Sequence, residues 1–411
     1  MDVGLPQRNM DADVIIVGGG PVGARMATVL AEGGCDVLVV EEHTSIGRPF
    51  QCAGLVNPGA MKVVELRSTI LTSIDGATIH GPHKANVHVG VHGQPRTYAV
   101  CRNRFDEGVM HQALAAGARL RLGCTARAAT CDDDGWTVRI ELSDGTSDEV
   151  RTRLLIGADG AHSRVRHWMR AGRPSEMMIG AQVEITGFVG KENWLEMFTG
   201  SDVAPGFFAW AIPTGFGTHR VGLWGHISKE VGGPSIEGRL HHLMNASRHA
   251  HRFENHAVVA RYCGPIPAGM VKRAHGQRSL LIGDAAGLAK PTTGGGIGPG
   301  FAQISMMAEE VIEAIHADRL DLKTLGKVTK PVEVFRKEQR RARALRNLFL
   351  TDSNDATLER HIETFSQPKV LDMIHRLGDI EHPIPLGVEM LRKVPAFRPL
   401  AVRAGWAVLT A

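Results

Sequence analysis

Residues 13–41 read DVIIVGGGPVGARMATVLAEGGCDVLVVE, and this stretch decides the fold. A run of β-branched residues from Val14 to Val17 stops at glycines. A run of helix-forming residues follows, and a second apolar run, Val37 to Val40, closes on Glu41. Unbroken rather than alternating apolar character marks strands covered on both faces, as in a parallel sheet. Gly18-x-Gly20-x-x-Gly23 falls at the junction between strand and helix. The first glycine permits the tight turn, the second lets a pyrophosphate approach the backbone, and the third lets the helix pack closely. The start of that helix offers N–H groups and partial positive charge to phosphates. Glu41 is expected to accept hydrogen bonds from the adenosine ribose. An acid in this place disfavours a 2′-phosphate, so NADP is not the expected occupant.

Further along, Leu155-Ile156-Gly157-Ala158-Asp159-Gly160 and Leu281-Ile282-Gly283-Asp284-Ala285-Ala286-Gly287 each end a buried strand with an aspartate. Either carboxylate alone suits a helix cap. Together with the fingerprint, and in this order, the two stretches point to FAD rather than NAD, with Asp284 expected on the ribityl chain. A helix is expected over about Arg104 to Gly117, and another from about Pro299 to Ile315. Asp132-Asp133-Asp134-Gly135 and Asp144-Gly145 read as hairpin turns. Runs such as AQVEI, GFFAWAIP and HRVGLWG suggest a separate sheet, and beyond Leu325 the chain is helical and basic. The expected architecture is α/β: a Rossmann-type FAD-binding domain (12–80, 100–175 and 263–324), an inserted antiparallel β-sheet substrate domain (81–99 and 176–262), and a C-terminal helical region (325–411).

The composition bounds the function. At 411 residues, 43% hydrophobic and 22% charged, the chain can bury a large core without disulfides. A net charge of +4 is too small to argue for nucleic acid. The six cysteines form no C-x-x-C pair and read as reduced thiols of a cytoplasmic protein, with no iron–sulfur cluster of its own. The polar start is unlike a secretory signal, and no apolar run approaches the roughly 20 residues of a membrane span. His241, His242, His249, His251 and His256 fit no zinc-ligand spacing, so no metal is expected.

Four stretches carry a family resemblance. Arg102-Asn103-Arg104-Phe105-Asp106 matches an Arg-x-x-Phe-Asp entry to a helix. Gly283-Asp284-Ala285-Ala286-Gly287 runs into Lys290-Pro291-Thr292-Thr293-Gly294-Gly295-Gly296-Ile297. Pro49-Phe50-Gln51-Cys52-Ala53-Gly54-Leu55 resembles a cysteine–glycine loop, and Phe208-x-Trp210-x-Ile212-Pro213 a pocket-lining strand. With the fingerprint, these resemble the geranylgeranyl reductase family of the aromatic-hydroxylase-like flavoproteins over about residues 12–325. The chain departs from the family pattern at Phe208 and Ile212, after Cys52, and at Gly298-Pro299-Gly300.

The resemblance implies saturation of C=C bonds in geranylgeranyl chains of archaeal-type ether-lipid precursors, by hydride transfer from reduced flavin N5. It places Arg102, Gly295, Gly296 and Ile297 at FAD. Cys52 becomes a candidate proton donor, and Phe208, Trp210 and Pro213 candidate substrate contacts. Phe207 and Trp224 read as sheet core. Electrons would come from NADPH or reduced ferredoxin. The rivals are an FAD monooxygenase and a non-catalytic prenyl-lipid carrier on the same fold. The basic stretch Arg336 to Arg343 reads as a solvated helix face, with anionic headgroups or an acidic redox partner as alternatives. Phe397 to Ala411 suits a peripheral membrane contact or a domain cap.

Overall fold

The computed structural model describes residues 10–50, 52–226, 234–378, 383–398 and 400. Gln51 and residues 1–9 and 401–411, which include most of the expected membrane-contact segment, lie outside the described residues. The first layer is a sheet in which Arg119–Arg121, Val37–Val40, Ala12–Val17, Ser147–Gly157 and Ser279–Leu281 run parallel in that order. Val14, Ile15, Ile16 and all of Val37–Val40 are buried, which explains the missing alternation. The helices Pro21–Glu32, Arg102–Ala115 and Ile297–His316 contribute Met26, Phe105, Val109, Ile304 and Met307 to the same core.

The hairpins form where the aspartates predict them. Asp132 Oδ1 accepts the N–H groups of Asp134 and Gly135, and Asp144 Oδ1 accepts that of Thr146. Such side-chain-to-backbone bonds imitate a backbone turn. The two helices begin earlier than their periodicity suggests, at Arg102 and Ile297.

The second layer is a seven-stranded sheet in the order Ala257–Ala268, Glu176–Thr186, Thr218–His226, Phe208–Gly215, Trp194–Thr199, Gly76–His80, Asn86–Gly90. It corrects the expected organisation in three places. Gly76–His80, assigned from sequence to the first domain, is hydrogen-bonded into this sheet. Its pairing with Trp194–Thr199 is parallel, so the sheet is not purely antiparallel. The strand Ala257–Ala268 runs past the expected limit at 262. A small sheet of Leu55–Val56, Thr97–Val100 and Ile70–Ile74 stands between the layers. The helix Ile236–Asn245 covers the back of the large sheet through Leu240, Leu243 and Met244.

The C-terminal helices have a core of their own, with Leu345, Leu348, Val370, Met390 and Phe397 buried together. Phe397 therefore serves as core, which favours the cap over the membrane contact for that residue. The helix Glu333–Arg346 is only partly a solvated face. Lys337 and Arg340 are exposed. Arg336 donates to the carbonyls of Met270 and Lys272, and Gln339 donates to those of Gly287 and Ala289. Among the described residues no helix is long and apolar enough to cross a membrane, and no group of three ligand-type side chains could hold a metal.

Candidate functional site

The three fingerprint glycines do three different jobs. Gly18 has φ +107°, and a methyl group there would run into the Ala158 carbonyl. At Gly23 a methyl group would strike the Gly18 carbonyl, so this residue lets the helix sit on the turn. Around Gly20 there is open space within 4 Å, as an approaching pyrophosphate needs. The helix Pro21–Glu32 starts at Gly20 with no side-chain cap, leaving its first N–H groups available. Glu41 is not a free acceptor. Its Oε2 takes the Gly19 N–H at 2.7 Å, while Oε1 takes the His43 N–H at 2.9 Å and ring nitrogen at 2.6 Å. A carboxylate has about four acceptor sites, so room for a ribose hydroxyl remains.

The two strand-end aspartates part company. Asp159 accepts from Ser163 Oγ at 2.5 Å and from the N–H groups of Arg164 and Val165 at 2.7 and 3.1 Å. It thereby gathers the first N–H groups of the short helix Arg164–Trp168, whose N-cap is Ser163. The adjoining Gly160, at φ +73°, faces open space. No donor among the described residues bonds the Asp284 carboxylate, which burial pushes up to about 6, with Arg102 pulling the other way. Gly296 lies against it: a methyl group there would come within 2.6 Å of Asp284 Oδ1. The turn itself is rigid. Gln303, fully buried, accepts the Gly283 N–H at 2.9 Å and donates to the Leu281 carbonyl at 3.0 Å.

Arg102 belongs to the same cluster. It forms a fork with Asp106, at 2.9 and 2.8 Å, and its charge is felt by Cys52. Burial works against its charge, but Asp106 and Cys52 outweigh that and raise its pKa. Gly295 closes a small loop, its carbonyl accepting the Lys290 N–H at 3.1 Å. Ile297 opens the helix Ile297–His316, whose N-cap Gly296 has no side-chain cap. Val22 packs where methyl groups at Gly300 and Gly283 would stand, at 2.5 and 3.1 Å, so the two uncapped helix starts are neighbours.

Phe208, Trp210 and Ile212 share one face of their strand, with Phe208 packed among Met178, Phe207 and Trp224. Phe207 and Trp224 are buried, as expected of sheet core. By the two-residue alternation Pro213 falls with Ala209 and Ala211 on the opposite face, toward the helix Ile236–Asn245. It therefore does not line a surface with Phe208 and Trp210, and that expectation is corrected. Trp210 donates to Gln182 Oε1 at 3.1 Å, and Gln182 donates to the Cys52 carbonyl at 3.2 Å. Arg220 donates to the carbonyls of Ala53 and Val100 at 3.1 and 3.0 Å, and its guanidinium lies 4.7 Å over Phe50. Burial lowers its pKa, against the pull of Glu184 and Cys52. Gln182 and Arg220 are buried polar positions beside the Cys52 loop that motif reasoning misses.

The Cys52 sulfur accepts the Gly54 N–H at 3.3 Å. Asp284, Gly296, Arg102 and Cys52 thus bound one side of the site, and Gln182 ties it to the aromatic face. An unpartnered carboxylate between two uncapped helix starts, with bare glycine backbone on each, fits a dinucleotide carrying hydroxyl and phosphate groups.

Comparison with known proteins gives the following. The FAD binding domain family model matches residues 11–332. Digeranylgeranylglycerophospholipid reductase 2 of Methanopyrus kandleri is 33% identical over 325 residues, spanning 75% of this chain and 79% of that protein. Digeranylgeranylglycerophospholipid reductase of Methanosarcina acetivorans is 30% identical over 326 residues, spanning 77% and 79%. The crystal structure of a geranylgeranyl bacteriochlorophyll reductase-like protein from Thermoplasma acidophilum superposes with a TM-score of 0.81, at 22% identity over 93% of this chain and 98% of that one. At that identity the likeness speaks for the fold.

Proposed function

The chain belongs to the FAD-binding-domain flavoproteins and, within them, to the digeranylgeranylglycerophospholipid reductases, and on that footing we propose that it saturates C=C bonds of geranylgeranyl chains in archaeal-type ether-lipid precursors. One observation carries the reading. Gln182 bridges the Trp210 ring to the Cys52 carbonyl, so the aromatic wall and the cofactor side are one construction. An apolar chain needs such a wall and few polar contacts, since each buried CH₂ contributes roughly 0.8 kcal/mol.

FAD would be held by Gly20 and its helix at the pyrophosphate, Glu41 at the ribose, and Asp284 at the ribityl hydroxyls. When bound and reduced, it supplies the hydride that one alkene carbon receives. The uncapped start of Ile297–His316 places partial positive charge where negative charge must be tolerated. Cys52 is assigned the proton for the second carbon. The Gly54 N–H donates to its sulfur, which holds the side chain beside Arg102. NADPH or a reduced ferredoxin is the electron source in this reading, and a membrane surface the place where substrate is met.

Dithionite-reduced, FAD-loaded protein mixed without oxygen with digeranylgeranylglycerophospholipid should yield lipid heavier by two hydrogens per bond. Unchanged lipid, or a product heavier by oxygen in air, would defeat the proposal. Replacing dithionite by NADPH or by reduced ferredoxin separates the two donors.

A further inference from the structure

Arg346 ends the helix Glu333–Arg346, beyond the stretch that the family model matches, and only 2% of its side chain is exposed. Its guanidinium is fully engaged. Nη2 donates to Glu176 Oε1 at 2.7 Å and Asn347 Oδ1 at 2.8 Å, and Nε reaches the same Asn347 oxygen at 3.2 Å. Nη1 donates to Glu176 Oε2 at 3.1 Å and to the Pro291 carbonyl at 3.0 Å. The turn that lets Asn347 reach back is a π-helical one, Asn347–Thr351, a geometry common at functional sites. Anchoring the helix end requires no more than Glu176. The other contacts lead elsewhere.

Those contacts close a circuit. The Arg346 guanidinium lies 4.8 Å over the Phe207 ring. Phe207 meets Trp224 edge-on, with centroids 5.1 Å apart. The Trp224 ring lies 3.5 Å from where a side chain at Gly294 would begin. Gly294 and Pro291 belong to one loop, closed by the Gly294 N–H on the Lys290 carbonyl at 2.8 Å. One cation thus grips this loop directly at Pro291 and props it at Gly294 through two rings. Two residues later the loop delivers Gly296 beneath Asp284. The burial is electrostatically supported: Glu176 faces Arg343 at 2.9 Å as well as Arg346, and these two cations hold its carboxyl below the usual range despite burial.

We propose that Arg346 is a positioning residue, holding the Pro291–Gly296 loop against the aromatic wall and so fixing where the cofactor-facing turn stands relative to the isoprenoid surface. This rests on the FAD and isoprenoid reading above. Lysine keeps the charge but lacks the fork that reaches Glu176, Asn347 and Pro291 together. In full-length, FAD-loaded protein, Arg346→Lys should therefore lower kcat by about 10- to 100-fold, with a smaller change in KM. It should also shift the visible absorption band of the bound flavin. Phe207→Leu, which breaks the circuit elsewhere, should shift the same band, and the double variant should lose less than the product of the two effects.

An unshifted band with unchanged kcat in Arg346→Lys would overturn the proposal. So would full activity below a lowered melting temperature, which marks a structural role. If Arg346→Lys does not fold, Phe207→Leu and Asn347→Ala decide the matter by the same two readouts. The band is read without lipid, so a protein that reduces no isoprenoid would refute the function while leaving this test intact.

Discussion

The turn after Ser147–Gly157 and the turn after Ser279–Leu281 end neighbouring parallel strands, and each carries a half-buried aspartate. Burial raises both carboxyls. Around Asp159 three donors oppose that rise, and most of the carboxylate's capacity goes into starting a helix. Around Asp284 only the charge of Arg102 does so, without a described hydrogen-bond donor, and the acid keeps its capacity for something else. The local chain explains the division. After Asp159, Ser163 opens a helix within reach of the carboxylate. After Asp284 the chain turns back at Gly287, φ +79°, and leads no N–H row to it. Two like positions are thus split between building and binding, and the residues downstream decide which.

The sharpest way to break this contrast is to remove each acid. Asp284→Ala should weaken FAD binding by about 10- to 100-fold, the worth of a charge-assisted hydrogen bond or two. Fluorescence titration with FAD reads this, and the cofactor-free protein should melt no lower than before. Asp159→Ala should do the reverse, costing about 1–3 kcal/mol in chemical denaturation by orphaning helix N–H groups, while FAD affinity changes less. Equal effects on binding and stability at both positions would erase the distinction.

pH sharpens it further. The folded protein holds Asp284 at about 6 against an ordinary 3.8, so it binds that proton more tightly than the unfolded chain does. The Asp284 contribution to stability of the cofactor-free protein is therefore complete below the ordinary value and lost as pH rises through about 6. FAD affinity should rise over the same interval, because the anion is the better acceptor. Both slopes should vanish in Asp284→Asn. The smallest effect concerns the other sheet: Pro213→Ala should leave steady-state turnover near wild type, whereas Trp210→Ala should lower kcat/KM about 10-fold or more through lost burial.

Much of this was legible in the chain itself. The unbroken apolar runs at Val14 and Val37 gave the parallel sheet, because strands buried on both faces have no polar side to show. The strand Gly76–His80 was misassigned because its partner Trp194–Thr199 is more than a hundred residues distant, and five residues say nothing about which sheet they join. Pro213 was misplaced by adjacency to Ile212, although alternation sends neighbours to opposite faces. Gln182 and Arg220 escaped because their partners are backbone carbonyls near Cys52, and carbonyls leave no mark in sequence. The helix-starting role of Asp159 did have a signal, Ser163 four residues on.

The tie between Gln339 and the carbonyls of Gly287 and Ala289 has a consequence for modularity. Glu359 adds a second tie, accepting the N–H groups of His83, Lys84 and Ala85 in the hairpin Gly76–Gly90. A protein cut after residue 332, where the match to the FAD binding domain stops, would keep every glycine motif and still lose the partners of both the cofactor turn and the sheet edge. The folding unit is therefore longer than the matched domain, and exchanging tails between relatives should fail unless the surfaces they grip are exchanged too.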